Sequence, residues 1–282
     1  MPTSPSSGVQ EIRKSIAARL REIRLDAGLT GRDLAFHCGW HPAKSSRIEN
    51  VKALPSDADI RAWCTACGAE SEADDLIAIS RNARSMYMEW RRLQRTGLRR
   101  LQESYVPLFE RTRLFRVYSS HVISGLLQTP GYATALLSAI TAFRRIPNDV
   151  EAAVNARMAR SHVICEGNHR FAILLEECVL RHRIAGADAM AEQLGHLLAV
   201  MSLPSVSLGI IPFTAERHMW VIEPFMVFGD AEAGIELLSA DVTLTAPNDT
   251  HLYLRAFSEL QRLAVYGTQA RRLIGAATAA LK

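Results

Sequence analysis

Lys44 and Arg47 stand three residues apart in the segment Leu29–Asn50, LTGRDLAFHCGWHPAKSSRIEN. On a helix that spacing puts an ammonium and a guanidinium on one face, with the short Ala43 beside them. Cations so placed donate to guanine O6 and N7 or to phosphate oxygens, and nearby hydroxyls and amides complete such a surface. The segment supplies these in Thr30, Ser45, Ser46 and Asn50, with Arg32 near its start and Lys52 just beyond its end. The chemistry open to this set is recognition of double-stranded DNA. Lys44 and Arg47 are expected to read base edges, while Thr30, Arg32 and Asn50 mainly position the backbone. The alternative use of Arg47 is an ordinary surface ion pair with Glu49, worth little.

Other reactive side chains do not assemble into a site by spacing. Cys64 and Cys67 form one CxxC without a second, and they share the apolar face of a helix with Trp63, as buried structural cysteines do. Glu176, Glu177, Cys178 and His182 lack the HExxH spacing and read as polar flanks of a strand-to-helix junction. His162, Cys165 and His169 read as a surface loop. GxGxxG, Walker A and GxSxG motifs are absent. No catalytic residue, metal or cofactor is expected, and an enzyme has no supporting motif.

The elements that must carry the DNA-facing residues are legible in the punctuation. Ile12, Ile16, Leu20 and Ile23 repeat at helical spacing up to a stop at Gly28. Thr30 with Asp33 starts a second helix carrying Leu34 and Ala35, and Gly39 allows a turn. Pro42, with His41 as N-cap, starts a third that buries Ile48. Ser56 with Asp59 starts a fourth, burying Ile60, Trp63, Cys64 and Cys67, and Ser71 with Asp74 a fifth with Leu76, Ile77 and Ile79. Five short helices with a glycine turn between the second and third outline a helix-turn-helix.

Charge divides the chain the same way. Residues 1–100 hold 17 Lys and Arg against 12 Asp and Glu, and residues 101–282 hold 16 against 17. The basic excess points to a polyanion partner for the first part. Seven arginines fall in residues 81–100, within a long helical pattern from about Met86 to Arg111 that Pro107 should break. Beyond it, Leu114–Tyr118, Phe171–Leu175, Val206–Pro212, Phe225–Phe228 and Val242–Leu244 read as strands, and Ala187–Met201, Pro247–Tyr266 and residues 268–281 as helices.

The expected fold is mostly α with an α+β C-terminal part. It comprises a disordered tail (1–8), a five-helix DNA-binding domain (9–80), a basic connecting helix (81–104) and a larger mixed domain with a small sheet (105–282). Gln193–Ala215 is uncharged, but it holds Pro204, Pro212 and His196 and is not a membrane span. The first residues lack a secretory signal pattern, and five widely spaced cysteines do not form a disulfide framework, so a cytoplasmic, nucleoid-associated protein is expected.

The segment Leu29–Asn50 resembles the Cro/repressor-like helix-turn-helix family, the XRE type, whose pattern is LTxxxLA, a Gly-hydrophobic turn and a helix ending SRIEN. Leu29, Thr30, Leu34, Ala35, Gly39, Trp40, Ser46, Arg47, Ile48, Glu49 and Asn50 match. The family usually has Gln directly after the Thr; here Gly31 stands there, and Arg32 is expected to replace part of the lost contact. The remainder is similar to the C-terminal domain of actinobacterial XRE regulators, a domain of unknown function (DUF5753-like). The matching stretches include SGLLQTPGY at Ser124–Tyr132, ARMAR at Ala156–Arg160 and ILLEECVLRHR at Ile173–Arg183. The resemblance implies a regulator, frequently encoded beside a very small partner protein. Met219 and Trp220, in a loop between prolines, are the expected partner-binding residues. A homodimer on DNA is expected because operators of this motif class are commonly two half-sites. Two other readings remain: an antitoxin-like module that sequesters a small partner, with DNA binding secondary, and an enzyme.

Overall fold

The computed structural model describes residues 5–281, with side chains except those of residues 5–12, 78, 81–89 and 91–92. The chain divides into two compact units, Met1–Met88 and Glu89–Lys282. Of the expected tail, residues 1–4 lie outside the described residues, and residues 5–8 belong to the first helix.

The first unit is helical: α1 (Pro5–Asp26), α2 (Gly31–His37), α3 (Pro42–Glu49), α4 (Asp57–Ala66) and α5 (Ala73–Met86). Local hydrogen bonds set each start. Thr30 accepts from the Asp33 backbone N–H while the Asp33 carboxylate accepts from Thr30 N–H, and Ser56 with Asp59 repeats the arrangement. His41 Nδ1 accepts from Ala43 N–H at 3.2 Å ahead of Pro42. Ser71 does not cap α5, because residues 70–72 form a 3-10 turn that delays it. The helices bury Ile16, Leu20, Ile23, Leu34, Ile48, Ile60, Trp63, Cys64, Leu76 and Ile77 in one core. Trp40 is half-buried at its margin, and Ile79, expected inside, is exposed. Trp63 is fully buried, and its indole N–H donates to Leu20 O at 2.9 Å, satisfying its one donor. Burial pushes the Cys67 thiol up to about 11 and raises that of Cys64, in keeping with structural cysteines.

A three-residue strand, β1 (Tyr87–Glu89), falls on the divide. The single basic helix expected over 81–104 does not form: residues 81–86 end α5, β1 follows, and the rest falls into α6 (Trp90–Leu93) and α7 (Arg99–Ser104), followed by α8 (Val106–Arg111), with Pro107 in its first turn. Gly97, at φ 101°, makes the break, since only glycine adopts that backbone cheaply.

Beyond α8 come β2 (Leu114–Ser119), α9 (Pro130–Arg144), α10 (Val150–Ser161), β3 (Arg170–Glu176), α11 (Glu177–Arg181), α12 (Ala187–Val200), β4 (Val206–Ile211), β5 (Phe225–Phe228), β6 (Glu232–Glu236), β7 (Ala240–Leu244), α13 (Pro247–Leu263) and α14 (Gly267–Ala279). The six strands that lie wholly in this unit run in the order β7-β6-β5-β2-β3-β4. β2, β3 and β4 are parallel, joined through helices, and β5, β6 and β7 continue antiparallel through short turns. Alternate strand residues enter the core, where the Phe115 and Phe171 rings stack at 4.7 Å. Full burial of each such ring contributes about 1.5–3 kcal/mol. The expected strands are all present; β6 is additional, as is β1 on the divide.

Candidate nucleic-acid interface

The α2–turn–α3 segment presents Arg32, Ala43, Ser46, Arg47 and Lys52 as exposed side chains. Among the described residues no carboxylate lies within 4 Å of Arg32, Arg47 or Lys52, so three cations stand uncompensated around α3. The helix is fixed from behind. Arg24 of α1, 7% exposed, holds Glu49 through Nε at 2.6 Å and Nη2 at 3.1 Å, and its Nη1 donates to Leu29 O at 2.6 Å. The Glu49 hydrogen bonds outweigh desolvation and raise the Arg24 guanidinium further above neutrality. Glu49 therefore serves α1 and leaves Arg47 free, so the expected Arg47–Glu49 surface pair does not form.

After α3 the chain turns at Val51, which adopts φ 59°, a costly conformation for a β-branched residue. The turn lets Lys52 N–H and Ala53 N–H both donate to Arg47 O, at 2.8 and 3.0 Å. Lys52 is thereby kept beside the end of α3.

Four expected contacts have other duties. Ser45 is 1% exposed, and its hydroxyl is shared between Gly31 O at 2.9 Å and Pro42 O at 3.1 Å, stitching α2 to α3; it does not share the exposed surface of Arg32, Arg47 and Lys52. Lys44 is drawn back from that surface: its ammonium meets Asp59 Oδ1 at 2.5 Å and lies 4.3 Å from the Trp40 ring. Burial would raise the Asp59 carboxyl, but the hydrogen bonds from Lys44 and Ser56 win and hold it below the usual range. Asn50 spends both amide hydrogens on Ser46, at 2.8 Å to O and 3.3 Å to Oγ, so only its carbonyl acceptor remains, and an acceptor cannot bind phosphate. The Thr30 hydroxyl donates to Asp33 Oδ2 at 2.6 Å within its cap. Ser46 Oγ accepts from Asn50 and keeps its own hydrogen for a partner. A Cβ added at Gly31 meets only Ser45 Oγ, at 3.7 Å, so packing does not require glycine there.

In the second unit Trp220 is 56% exposed and Met219 half-buried, in the loop between β4 and β5, with Phe213 and Val221 also exposed. Most of the candidate catalytic or ligating residues have structural partners, while Cys165 is an exposed free thiol. Buried Glu176 accepts from Tyr118 Oη at 2.9 Å and pairs with Arg217, and Glu177 accepts from Phe213 N–H at 3.0 Å and pairs with Arg181 at 3.0 Å. His169 instead contacts Thr112 O at 2.7 Å, and His182 contacts His121 O at 2.8 Å. Among the described residues, no group of three His, Cys, Asp or Glu side chains could hold a metal ion. No helix among them is long and apolar enough to cross a membrane.

A helix-turn-helix domain model (HTH_31) matches residues 15–76, and the domain of unknown function DUF5753 matches residues 102–276. Among curated proteins none matches the chain. Among solved structures, that of TrmBL2, an archaeal chromatin protein with a novel mode of DNA binding, is similar over 85% of this chain and 88% of that one. Its identity is 11% and its TM-score 0.32. The DUF5753 match spans more than half of the 282 residues, so the chain belongs to the DUF5753 family, and its first unit carries an XRE-like helix-turn-helix domain.

Proposed function

We propose that the protein is a sequence-specific transcriptional regulator that binds DNA through its first unit and receives a signal through its DUF5753 unit. The observation that carries the first half is the set of three exposed, uncompensated cations, Arg32, Arg47 and Lys52, around a helix braced by Arg24 and Glu49. Arg47 reads a base, while Arg32, Lys52 and the Ser46 hydroxyl take phosphates. Thr30 and Asn50 act by shaping the helix ends, and Lys44 by tying α3 to α4. The working form on DNA is a homodimer over two half-sites, because one such module buries little surface. The test is a fluorescence-anisotropy titration of the protein on DNA from its own promoter region against a scrambled duplex. Tighter binding to the promoter DNA supports the reading, and equal affinity for both duplexes, or none at low salt, overturns it.

The second half rests on the exposed Phe213, Trp220 and Val221 of the β4–β5 loop, whose apolar surface suits a small protein partner contacting Met219 and Trp220. The same loop favours a second reading, an antitoxin-like module whose main act is to hold that partner. Trp220→Ala distinguishes the two: a regulator keeps promoter affinity and loses its response to the partner, whereas a sequestering module loses partner retention without change at the promoter.

A further inference from the structure

The second unit contains a cavity of about 200 Å³ walled by α7, α8, the Ser124–Gln128 turn, α10 and the strands β2, β5, β6 and β7. Most of its wall is apolar, including Leu101, Phe109, Val117, Ile123, Leu126 and Phe228. Arg157 and Arg160, one turn apart on α10, also stand on it. Their partners are all neutral. Arg157 donates through Nε to Gln102 Oε1 at 2.9 Å and through Nη1 to Gln128 Oε1 at 2.6 Å. Arg160 is 8% exposed; Nη1 reaches only Gln102 O at 3.5 Å, and its buried Nε has no hydrogen-bond partner. Among the described residues no carboxylate lies within 4 Å of either guanidinium. Their remaining neighbours are rings, with Phe109 4.7 Å and Tyr105 5.3 Å from Arg160 Cζ.

This is an expensive arrangement for a fold to keep. A buried cation needs a counter-charge or a full set of acceptors. Desolvation, with the repulsion of Arg157, lowers Arg160 to about 10, which still leaves it charged at neutral pH. The two guanidiniums also converge on one glycine: a Cβ at Gly125 would lie 3.3 Å from Arg160 Nη2 and 3.7 Å from Arg157 Nε and Cζ. Backbone without a side chain thus leaves the space between them and the turn open.

We infer that this cavity binds a small organic monoanion, a carboxylate on an apolar body, with the head held by Arg157 and Arg160. Among the described residues Arg157 Nη2 and Arg160 Nε and Nη2 have no hydrogen-bond partner, and guanidinium donors suit a planar carboxylate. Glu232, Glu236 and Asp241 also line the wall, Glu236 near enough to favour the charged forms of both arginines, and the three disfavour a dianion such as phosphate. A 150 Å³ apolar cavity admits benzene, so this volume takes an aromatic or short-chain acid. The inference names a ligand class for the signal-receiving role of this unit and rests on that role only for its consequence at DNA.

The experiment is calorimetric titration of the full chain, free of DNA, with benzoate and hexanoate, and with benzamide and inorganic phosphate as the neutral and dianionic arms. At least one carboxylate is expected to bind with unit stoichiometry, at least about tenfold more tightly than benzamide or phosphate, the loss typical of a charge-assisted hydrogen bond. Arg157→Gln and Arg160→Gln are each expected to weaken it at least about tenfold. A purely structural arginine would show the opposite balance, so thermal melts without ligand accompany the titrations: Arg160→Gln removes an unpaired buried charge and is expected not to lower Tm. Should these variants fail to fold, the benzoate–benzamide comparison on the unaltered chain decides. No carboxylate binding at millimolar concentration, equal binding of benzamide, or tighter binding of phosphate overturns the inference. Carboxylate binding that leaves promoter affinity unchanged upholds the site and refutes only the sensing role.

Discussion

Arg47 and Lys44 sit one turn apart in α3, and their surroundings separate their roles. Arg47 is exposed and has no ion-pair partner among the described residues, whereas Lys44 spends its charge on Asp59 and Trp40. Arg47→Ala is expected to lower the ratio of specific to non-specific DNA affinity by about 1–3 kcal/mol without changing the thermal melt. Lys44→Met is expected to do the reverse, destabilising by about 1 kcal/mol or less with that ratio preserved, since the pair is part-exposed. Competition binding and melts on both variants check this. Arg24 has a larger stake. Its removal strands Glu49 in a nearly buried place, and Arg24→Met is expected to cost about 3–5 kcal/mol in urea unfolding of the first unit. A loss below 1 kcal/mol would show that water already reaches Glu49. Asp241 carries a pH signature. Desolvation, reinforced by Glu236 and Glu232 and opposed by the Tyr105 hydroxyl, raises it to about 6. A carboxyl with a raised folded pKa contributes stability that is complete below its unfolded value, about 3.9, and is lost as pH rises through 6. Asp241→Asn is therefore expected to flatten the fall in stability between pH 4 and 6, as read by melts across that range.

At the level of elements, termination and capping decide where cavity walls and reading helices begin. The Asp149 carboxylate accepts from Leu98 N–H at 2.7 Å and Arg99 N–H at 2.9 Å, closing the start of α7, which carries Leu101 and Gln102 into the cavity wall. Gly97 makes room for it: a Cβ there would fall 2.3 Å from Asp149 Oδ2, on a backbone at φ 101°. Gly97→Ala is expected to destabilise the second unit by about 2 kcal/mol or more, from the strained backbone and the displaced cap together. Asp149→Ala, which removes the clash and the cap at once, should partly rescue Gly97→Ala in a double-mutant cycle, and strict additivity would contradict the account. The α3 element differs in that its cap, His41 with Pro42, is local, so its start is legible without the rest of the fold.

For the molecule as a whole, the charge division has a measurable consequence. Two phosphate-contacting cations per module, Arg32 and Lys52, and two modules on an operator neutralise about four phosphates, giving a slope of about −3.6 for log affinity against log salt. A single module would give about −1.8. Salt titrations with light scattering on the same complex separate the two, and a monomeric complex with the shallower slope would exclude the homodimer.

How much of this was legible in the sequence follows from the range of the forces involved. The Thr30–Asp33 and Ser56–Asp59 caps, the Pro42 helix start and the glycine stops act within four residues, so α2, α3 and α4 can be read from residue order, whereas the start of α5, delayed by the turn at 70–72, cannot. The strands expected over 114–118, 171–175, 206–212, 225–228 and 242–244 are short apolar or β-branched runs and equally readable. β6, EAGIE, is not, because two glutamates and a glycine have little strand propensity and only pairing between β5 and β7 makes it a strand. Side-chain partners are chosen across the fold. Nothing in KSSRIEN says that Glu49 belongs to Arg24, that Ser45 bonds Gly31, or that Lys44 belongs to Asp59 fifteen residues on. The same holds for the cavity. ARMAR places Arg157 and Arg160 on one helix face by its spacing alone, but whether that face meets carboxylates, water or an apolar wall is decided by Gln102, Phe109, Gly125 and Gln128, which tertiary packing brings to it.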